Sequence, residues 1–252
     1  MTLLHDAELS SAFDHASLAY DRLVAANPGY HAHLRRSARR LGLPHGGAGL
    51  RLLDLGCGTG ASTAALLAAA PYAEIVAVDA SAGMLAQAAA KEWPAHVRFV
   101  HSPVEALASG PRTARGDGSV DGRFDAVFAA YLFRNVVDPD ATLAVTRELL
   151  LPGGRLAVHE YALSQGRAHR VLWNSVCRSV VLPLGRAAGD GELYRHLWRS
   201  VLAFDTAPAF ADRIGRAGFE GVRVLPLPGW QTGITHTFVA RAPRRPADGG
   251  AA

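Results

Sequence analysis

The residues best suited to chemistry stand around a glycine-rich turn. Leu50 to Gly60 reads LRLLDLGCGTG, in which Asp54 comes two positions before the first of three glycines spaced two apart. Gly56 and Gly58 permit backbone torsions and a close approach that a Cβ would block, and Gly60 lets a following helix lie near the strand. The spacing differs from the G-x-G-x-x-G that presents a helix N-terminus to a pyrophosphate. We therefore expect a turn that binds a ligand without gripping a phosphate.

A second acidic residue follows the glycines at a distance typical of nucleoside sites. Glu74 to Asp79 reads EIVAVD, an apolar run that predicts a buried strand with a carboxylate at its end. A carboxylate at this position can accept hydrogen bonds from both hydroxyls of a ribose. The glycine turn and Asp79 together predict an adenosine-type ligand.

Strands and helices that could position these residues are readable along the chain. Apolar runs predict strands at 50–55, 74–79, 97–100, 124–131 and 155–161. Helical patterns follow Gly60 and Ser81, and Ser81 is a candidate N-cap. Two further helices are predicted at 141–151, where Pro152-Gly153-Gly154 would end the helix, and at 207–217. The segments GFEGVRVLPL and HTFVARA predict a closing antiparallel hairpin. The alternation of strands and helices predicts an α/β protein.

Composition bounds the class of protein. A chain of 252 residues can form one main core, and no apolar run of membrane-spanning length or signal peptide is evident, so we expect a cytoplasmic protein. Cys57 and Cys177 have no CxxC partner, which argues against a disulfide or a metal site. The arginines among 35–40 lack interleaved aromatic residues, so we expect no nucleic-acid partner. Peripheral contact with an anionic membrane and a homodimer both stay open.

The cofactor motifs resemble those of class I S-adenosylmethionine-dependent methyltransferases. The resemblance rests on D-x-G-x-G-x-G, then V-x-V-D, then SAGML at 81–85 and LLLPGGRLAVHEY at 149–161. It implies a doubly wound, Rossmann-like sheet of seven strands, mostly parallel with a C-terminal antiparallel hairpin, plus a helical lid. It also implies that S-adenosylmethionine is bound, and S-adenosylhomocysteine released, by Asp54, Gly56, Cys57, Gly58, Gly60, Asp79, Ala80, Met84, Val104 and Ala130. Met84 could equally be plain core, and Pro103 replaces the Asp or Asn that often reaches the adenine.

A more specific resemblance comes from the segment LFRNVVDPD. Arg134 and Asn135 match the FGxRNV motif of the ubiquinone and menaquinone C-methyltransferases, although Tyr131-Leu132 replaces the usual Phe-Gly. Methylation of a ring carbon requires an electron-rich ring, and an arginine that stays protonated can stabilise a phenolate or order a water. Asn135 would orient the oxygen. The alternative is a structural arginine paired with an aspartate of the following DPD sequence.

Other candidate residues lie before and after this motif. FDHASLAYDRL resembles the N-terminal FxxxAxxYD signature of the same family, which places Tyr20 over the cofactor or substrate. Because side chains alternate along a strand, His159 and Tyr161 are predicted to lie on one face and Glu160 on the opposite face. Relatives in the resembled family often have a hydrophobic residue, Glu and Phe at these three positions. The resemblance makes Glu160 the matched residue and His159 a departure. We expect Tyr131, Glu160, Trp173 and His236 to contact substrate, with buried packing as the alternative reading of each.

The predicted organisation has four parts. Residues 1–45 form a helical cap, 46–164 with 206–242 form the cofactor-binding core, 165–205 form a helical insertion over the substrate, and 243–252 form a disordered tail. We assign no chemistry to the polar loop at 109–122. The predicted function is methylation of a small hydrophobic acceptor, most simply the C-methylation of a quinol or phenolic ring. The alternatives are O- or C-methylation of another lipophilic metabolite such as a polyketide, phenol or terpenoid, a binding module without activity, and an NAD-dependent oxidoreductase.

Overall fold

The computed structural model describes Asn27, residues 29–108, Val120, residues 122–187, Gly189 and residues 191–244. The predictions for Tyr20, for most of the 109–122 loop and for the tail beyond 244 lie outside these residues. Gly29, with a φ of 87°, lies immediately before the first helical residue, Tyr30.

Seven strands form one sheet. They are β1 (Arg51–Leu55), β2 (Glu74–Asp79), β3 (Val97–His101), β4 (Phe124–Ala130), β5 (Leu150–Tyr161), β6 (Glu220–Pro226) and β7 (Thr235–Arg241). Their order is β3-β2-β1-β4-β5-β7-β6, and β7 runs antiparallel to both of its neighbours while the other pairs are parallel. This confirms the predicted fold class. The order reverses between β1 and β4, which is where open α/β sheets bind ligands.

Helices cover both faces of the sheet. They are α1 (Tyr30–Arg39), α2 (Ala61–Ala69), α3 (Ala82–Ala89), α4 (Pro139–Leu149), α5 (Arg167–Val176), α6 (Leu182–Ala187), α7 (Gly191–Ala203) and α8 (Ala207–Arg216). Short 3₁₀ segments span Pro44–Gly47 and Val104–Ala108, and a π-helical segment, Cys177–Val181, joins α5 to α6. Ser81 caps α3 as expected, because its Oγ accepts a hydrogen bond from the Met84 N–H at 3.0 Å. The insertion predicted at 165–205 is helical.

Alternation along the strands divides the core into two layers. Leu53 and Leu55 belong to the layer formed with α4 and α8, which also contains Phe210. Leu52 belongs to the other layer, with Leu34 of α1 and side chains of α2 and α5. Because side chains alternate along a strand, Asp54 shares the face of Leu52 and lies under α2.

Two predicted boundaries are wrong for local reasons. Helix α4 ends at Leu149, and Pro152-Gly153-Gly154 lies inside β5 instead of ending the helix. Pro152 disfavours helical torsions at the residue before it. Gly153, with a φ of 77°, donates from its N–H to the carbonyls of Ala242 and Pro243, so it pairs with the chain after β7. Strand β4 ends at Ala130, because Tyr131 has a φ of 57°.

The described part of the chain contains no helix with the length and hydrophobicity of a membrane span. Cys57 and Cys177 are both free thiols. Within the same residues, no group of three or more histidine, cysteine and carboxylate side chains has the arrangement of a metal site.

Candidate active site

The three glycines of the turn after β1 serve different contacts. Their φ angles are 74° for Gly56, 55° for Gly58 and 90° for Gly60, all in the left-handed region that disfavours side chains. A Cβ on Gly56 would lie 2.9 Å from Cδ1 of Leu132, and one on Gly60 would lie 2.8 Å from Cζ2 of Trp93. A Cβ on Gly58 would have no neighbour within 4 Å. Gly58 therefore keeps a ligand space open, while the other two permit packing.

This packing corrects the role predicted for Gly60. Its near neighbour is the indole of Trp93, which follows α3, and the ring nitrogen of Trp93 donates to the carbonyl of Ala88 at 2.8 Å. Gly60 thus lets the turn approach α3 and Trp93. The sequence predicted instead that Gly60 brings the helix that follows it, α2, close to the strand.

A cavity opens beside the turn, at the carboxyl ends of β1 and β4, with about 290 Å³ of atom-free space that is partly open solvent. Its lining residues are Tyr30, Gly56, Cys57, Gly58, Thr59, Ala61, Ser62, Ala130 and Tyr131. Five of these are among the predicted site residues. Tyr30, Thr59, Ala61 and Ser62 were missed. Thr59, Ala61 and Ser62 adjoin the glycine motif and could have been included on that ground. Tyr30 lies in the helical cap predicted at 1–45, but no motif there singles it out.

Asp79 is hydrogen-bonded to the glycine turn, with which it was predicted to form one ligand site. Its Oδ2 accepts from the Gly58 N–H at 2.7 Å, and its Oδ1 accepts from the Ser81 N–H at 2.8 Å. Burial raises the pKa of Asp79, and these hydrogen bonds oppose that rise. Because a carboxylate has about four lone-pair sites, each oxygen can still accept a hydroxyl donor. Asp79 therefore fits a ribose while it holds Gly58.

Asp54 is fully buried beneath the turn. Its Oδ2 accepts from the hydroxyls of Ser62 and Thr63, both at 2.7 Å, whereas its Oδ1 is buried with no partner among the described residues. Burial raises the pKa of Asp54 to about 7, and the two hydroxyl donors oppose the rise. Ser62 lines the cavity, so Asp54 fixes a cavity hydroxyl and keeps one acceptor oxygen unused.

The remaining predicted cofactor residues lie around this region without lining the cavity. Met84 is buried on the inner side of α3, Val104 is buried in the layer with α4 and α8, and Ala80 is exposed after β2. The carbonyl of Ala80 pairs with Nε2 of His101 at 3.0 Å. Their contacts with the cofactor stay predictions.

Arg134 and Asn135 converge on the main chain of Tyr131. Nη1 of Arg134 donates to the Tyr131 carbonyl at 2.8 Å, and Nδ2 of Asn135 donates to the same oxygen at 2.9 Å. The Tyr131 N–H donates to the His159 carbonyl at 2.8 Å. A left-handed conformation is unusual for a bulky residue and needs such support. One function of the Arg-Asn pair is therefore to hold the turn that presents the Tyr131 ring.

The charge partner of Arg134 is Glu160. Nε of Arg134 lies 3.7 Å from Oε1 of Glu160, and both side chains are almost fully buried. Burial raises the pKa of Glu160, and Arg134 is the largest influence that opposes the rise. The alternative of pairing with a nearby aspartate is wrong, because Asp138 caps α4 and Asp140 pairs with Arg213. No described residue accepts from Nη2 of Arg134.

An aromatic stack continues from the cavity toward the insertion. The Tyr131 ring stacks on Tyr30, with centroids 5.7 Å apart, and on Tyr161 at 4.8 Å. The guanidinium carbon of Arg134 lies 5.5 Å from the Tyr131 centroid and 5.8 Å from that of Tyr161. Nε2 of His159 lies 2.9 Å from the Tyr131 hydroxyl oxygen. His159 and Tyr161 thus point to Tyr131, and Glu160 points to Arg134, as the alternation predicted.

The insertion reaches this stack through two contacts. Trp173 is buried, with its ring centroid 5.2 Å from that of Tyr161, and its Nε1 donates to the Trp198 carbonyl. Nε2 of His196 on α7 lies 3.0 Å from Oδ1 of Asn135. Trp173 does not line the cavity described above, so its contact with substrate stays a prediction.

His236 lies in the β5–β7 ladder. It is opposite Glu160 in register, and its Nε2 is 3.4 Å from Oγ of Ser164. Its Nδ1 is buried and has no partner among the described residues. Burial lowers the pKa of His236, so the neutral ring is favoured. Its contact with substrate is likewise a prediction.

Comparison with known proteins identifies the family. Residues 53–156 match the model of a methyltransferase domain. The chain is 30% identical over 245 residues to a demethylmenaquinone methyltransferase of Mycolicibacterium paratuberculosis, covering 94% of this chain and 95% of that one. It is 34% identical to the ubiquinone/menaquinone biosynthesis C-methyltransferase UbiE of Syntrophotalea carbinolica, covering 73% of each. The chain belongs to this family of class I methyltransferases. It is therefore an S-adenosylmethionine-dependent enzyme, and the NAD-dependent alternative is wrong.

A solved structure supports the fold. The chain resembles the CurJ carbon methyltransferase with a TM-score of 0.56 and 22% identity, over 80% of this chain and 50% of that one. The residues of the site fit the cofactor, because no side chain obstructs the turn at Gly58 and because Asp54 and Asp79 keep acceptor positions.

Gly58→Ala tests the ligand space, with Gly49→Ala as its matched control. Both glycines have positive φ and neither has a neighbour within 4 Å of the added Cβ, so each substitution costs about 1 kcal/mol of backbone strain. Only Gly58→Ala places a methyl group beside the cavity. We expect it to weaken S-adenosylhomocysteine binding at least tenfold by calorimetry, whereas Gly49→Ala leaves binding unchanged. Equal affinities for the two variants would contradict the assignment.

Asp54→Asn tests the buried carboxylate through the pH dependence of stability. The folded-state pKa of about 7 lies above the unfolded value, so protonation of Asp54 favours the fold at low pH and this contribution is lost as pH rises toward 7. Asn stays neutral and keeps an acceptor for the two hydroxyls. In urea unfolding from pH 5 to pH 8, we expect the free energy of unfolding of the wild type to fall by about 2 kcal/mol relative to the variant. Parallel curves would show that Asp54 titrates normally.

Proposed function

We propose that the protein uses S-adenosylmethionine to methylate a ring carbon of a lipophilic quinol. The observation that carries the proposal is the placement of Arg134 and Asn135 at the end of β4, beside the cavity of the glycine turn. Two relatives with this activity class in their names, a demethylmenaquinone methyltransferase and a ubiquinone/menaquinone C-methyltransferase, support the choice of acceptor.

The chain's own groups would bind the cofactor mainly through main chain and two carboxylates. Asp79 would accept from the ribose hydroxyls, and the turn from Gly56 to Gly58 would lie against the rest of the cofactor. Bound S-adenosylmethionine supplies an electrophilic methyl group. The protein's contribution is to hold the ring carbon in line with that methyl group, and such positioning can be worth roughly 7 to 11 kcal/mol.

The second contribution concerns the phenolic oxygen of the acceptor. A ring carbon becomes nucleophilic when its phenol loses or shares its proton, so a nearby cation favours the reaction. A guanidinium group only donates hydrogen bonds. Nη1 of Arg134 donates to the Tyr131 carbonyl, whereas its Nη2 has no acceptor among the described residues. We propose that Nη2 donates to the acceptor oxygen. Tyr30 and Tyr131 both line the cavity and give it aromatic side chains against which a flat ring can pack.

Methyl transfer from labelled S-adenosylmethionine to a panel of quinols, naphthols and phenols tests the proposal. We expect incorporation into a demethylmenaquinol analogue with a short prenyl chain, and mass spectrometry of the product should locate the methyl group on carbon. Transfer only to oxygen would support the alternative of an O-methyltransferase. Binding of S-adenosylhomocysteine without any transfer would identify an inactive binding module.

The paired substitution Arg134→Gln with Glu160→Gln tests the role of the guanidinium. Changing both residues avoids leaving a buried, unpaired carboxylate, because the two charges lie 3.7 Å apart. Loss of a donor to a developing oxyanion costs about 10²- to 10³-fold in kcat, and we expect that loss for the quinol. The control is Arg98→Gln, an exposed arginine on β3. Unchanged kcat in the paired variant, with S-adenosylhomocysteine binding intact, would refute ring activation by Arg134.

We further propose that the insertion rests on an anionic membrane, where a lipophilic quinol resides. Its large exposed apolar side chains are Val171, Leu172, Val180 and Leu184. Residues 165–205 contain six arginines and three acidic residues, so the insertion carries a net charge of +3, most of the +4 of the whole chain. Exposed apolar residues on a basic helical segment are typical of binding to anionic lipid surfaces.

Leu172→Ser with Leu184→Ser tests this contact by vesicle flotation. We expect wild-type protein to bind phosphatidylglycerol vesicles better than phosphatidylcholine vesicles, and the double variant to bind at least tenfold more weakly because it loses two inserted side chains. The control is Tyr72→Ser, since Tyr72 is 71% exposed and lies outside the insertion. A wild-type protein that fails to float, and is dimeric by light scattering, would indicate that a second copy covers this face.

A further inference from the structure

A continuous chain of buried hydrogen bonds ends at the cavity. From the surface inward its members are Arg40, Thr237, Ser37, His159 and Tyr131, with successive distances of 2.7, 2.6, 2.8 and 2.9 Å. We call these five residues the polar chain. It joins α1 to β7, β5 and the turn after β4, and only its last member lines the cavity.

The spacing of residues on α1 brings the polar chain to the sheet. Ser37 and Arg40 are three residues apart and Ser37 follows His33 by four, so these side chains share one face of the helix. Arg40 is half-buried, whereas Arg35, Arg36 and Arg39 are exposed. Its guanidinium also donates to the carbonyls of Leu225 and Pro226.

The cation at the outer end sets the direction of the hydrogen bonds. A guanidinium can only donate, so Thr237 accepts from Arg40. If Thr237 also accepted from Ser37, its own buried hydroxyl hydrogen would have no acceptor among the described residues. The satisfied arrangement runs inward: Thr237 donates to Ser37, and Ser37 donates to Nδ1 of His159. Nε2 of His159 then carries the proton and donates to the hydroxyl of Tyr131.

Electrostatics are consistent with this direction. Burial, with smaller contributions from His33 and Arg40, lowers the pKa of His159 to about 3, so its ring is neutral with one donor and one acceptor. Burial raises the pKa of Tyr131 well above its ordinary value, and the neighbouring Tyr161 contributes to that rise. Tyr131 thus keeps its proton, and its oxygen accepts from Nε2 of His159. The titratable or charged groups that face Tyr131 are Tyr30, Arg134, His159, Glu160 and Tyr161.

We propose that the polar chain holds Tyr131 as a hydrogen-bond donor for the ionised oxygen of a phenolic acceptor. The proposal rests on the function proposed above and adds a second donor to Arg134. Hydrogen bonds polarise one another in series, so a chain that begins at a cation strengthens its terminal donor. Arg40, Thr237, Ser37 and His159 are positioning residues, because they act only through Tyr131.

The test measures the acidity of a bound phenol, independently of methyl transfer. The probe is 4-nitrophenol, titrated by its visible absorbance with the full-length protein in the presence of S-adenosylhomocysteine. We expect the wild type to lower the pKa of the bound probe relative to free probe. Tyr131→Phe should raise the bound pKa by about one unit, since a hydrogen bond to a charged group is lost. Thr237→Val, which removes the hydroxyl that connects Ser37 to Arg40, should raise the bound pKa by a smaller amount than Tyr131→Phe does.

Two further variants separate positioning from general loss of structure. Thr237→Ser keeps the hydroxyl and should restore the wild-type value. Thr146→Val is the matched control, because Thr146 is also fully buried but its hydroxyl donates to the Thr142 carbonyl within α4. A bound pKa that is the same in Thr237→Val and wild type, or no change in the probe spectrum on binding to wild type, would overturn the proposal. Failure of methyl transfer with an intact pKa shift would instead count against the proposed function.

Discussion

Two turns at the ends of β1 and β4 touch each other, and the site depends on that contact. One is the glycine turn, and the other is the left-handed turn at Tyr131. Leu132 lies so close to Gly56 that a Cβ there would come within 2.9 Å of its side chain. Because β1 and β4 are neighbours at the point where the strand order reverses, the two turns open the crevice between them. Any side chain at position 56 would separate them.

Each turn is held from behind by buried polar groups. Beneath the glycine turn, Asp54 binds the hydroxyls of Ser62 and Thr63 at the start of α2. Behind the second turn, Arg134 and Asn135 bind the carbonyl of Tyr131. Buried charge is costly unless it is paired or hydrogen-bonded, so these groups fix the turns only because their partners are correctly placed. The same side chains therefore serve both rigidity and the chemistry that we propose.

The sequence predicted the features that depend on short stretches of chain. The strands, the glycine turn, the Ser81 cap and the acidic end of β2 are local patterns, and the structure contains all of them. It did not predict that Glu160, 26 residues away, would be the partner of Arg134 in place of an adjacent aspartate. Nor did it predict the left-handed Tyr131, whose torsion is stabilised by side chains that only tertiary packing brings together. Such features have no signature in the spacing of residues.

Two departures from the family pattern make sense only together. Tyr131 stands where the pattern has Phe, and His159 stands where relatives often have a hydrophobic residue, yet the two side chains are bonded to each other at 2.9 Å. A phenylalanine at 131 beside His159 would leave a fully buried ring nitrogen without its partner, at a cost of about 1 to 3 kcal/mol. A hydrophobic residue at 159 would remove the Nε2 group that donates to the Tyr131 hydroxyl and the Nδ1 atom that accepts from Ser37. The pair therefore behaves as one change, and its remaining partners, Ser37 and Thr237, extend it to a cation on α1.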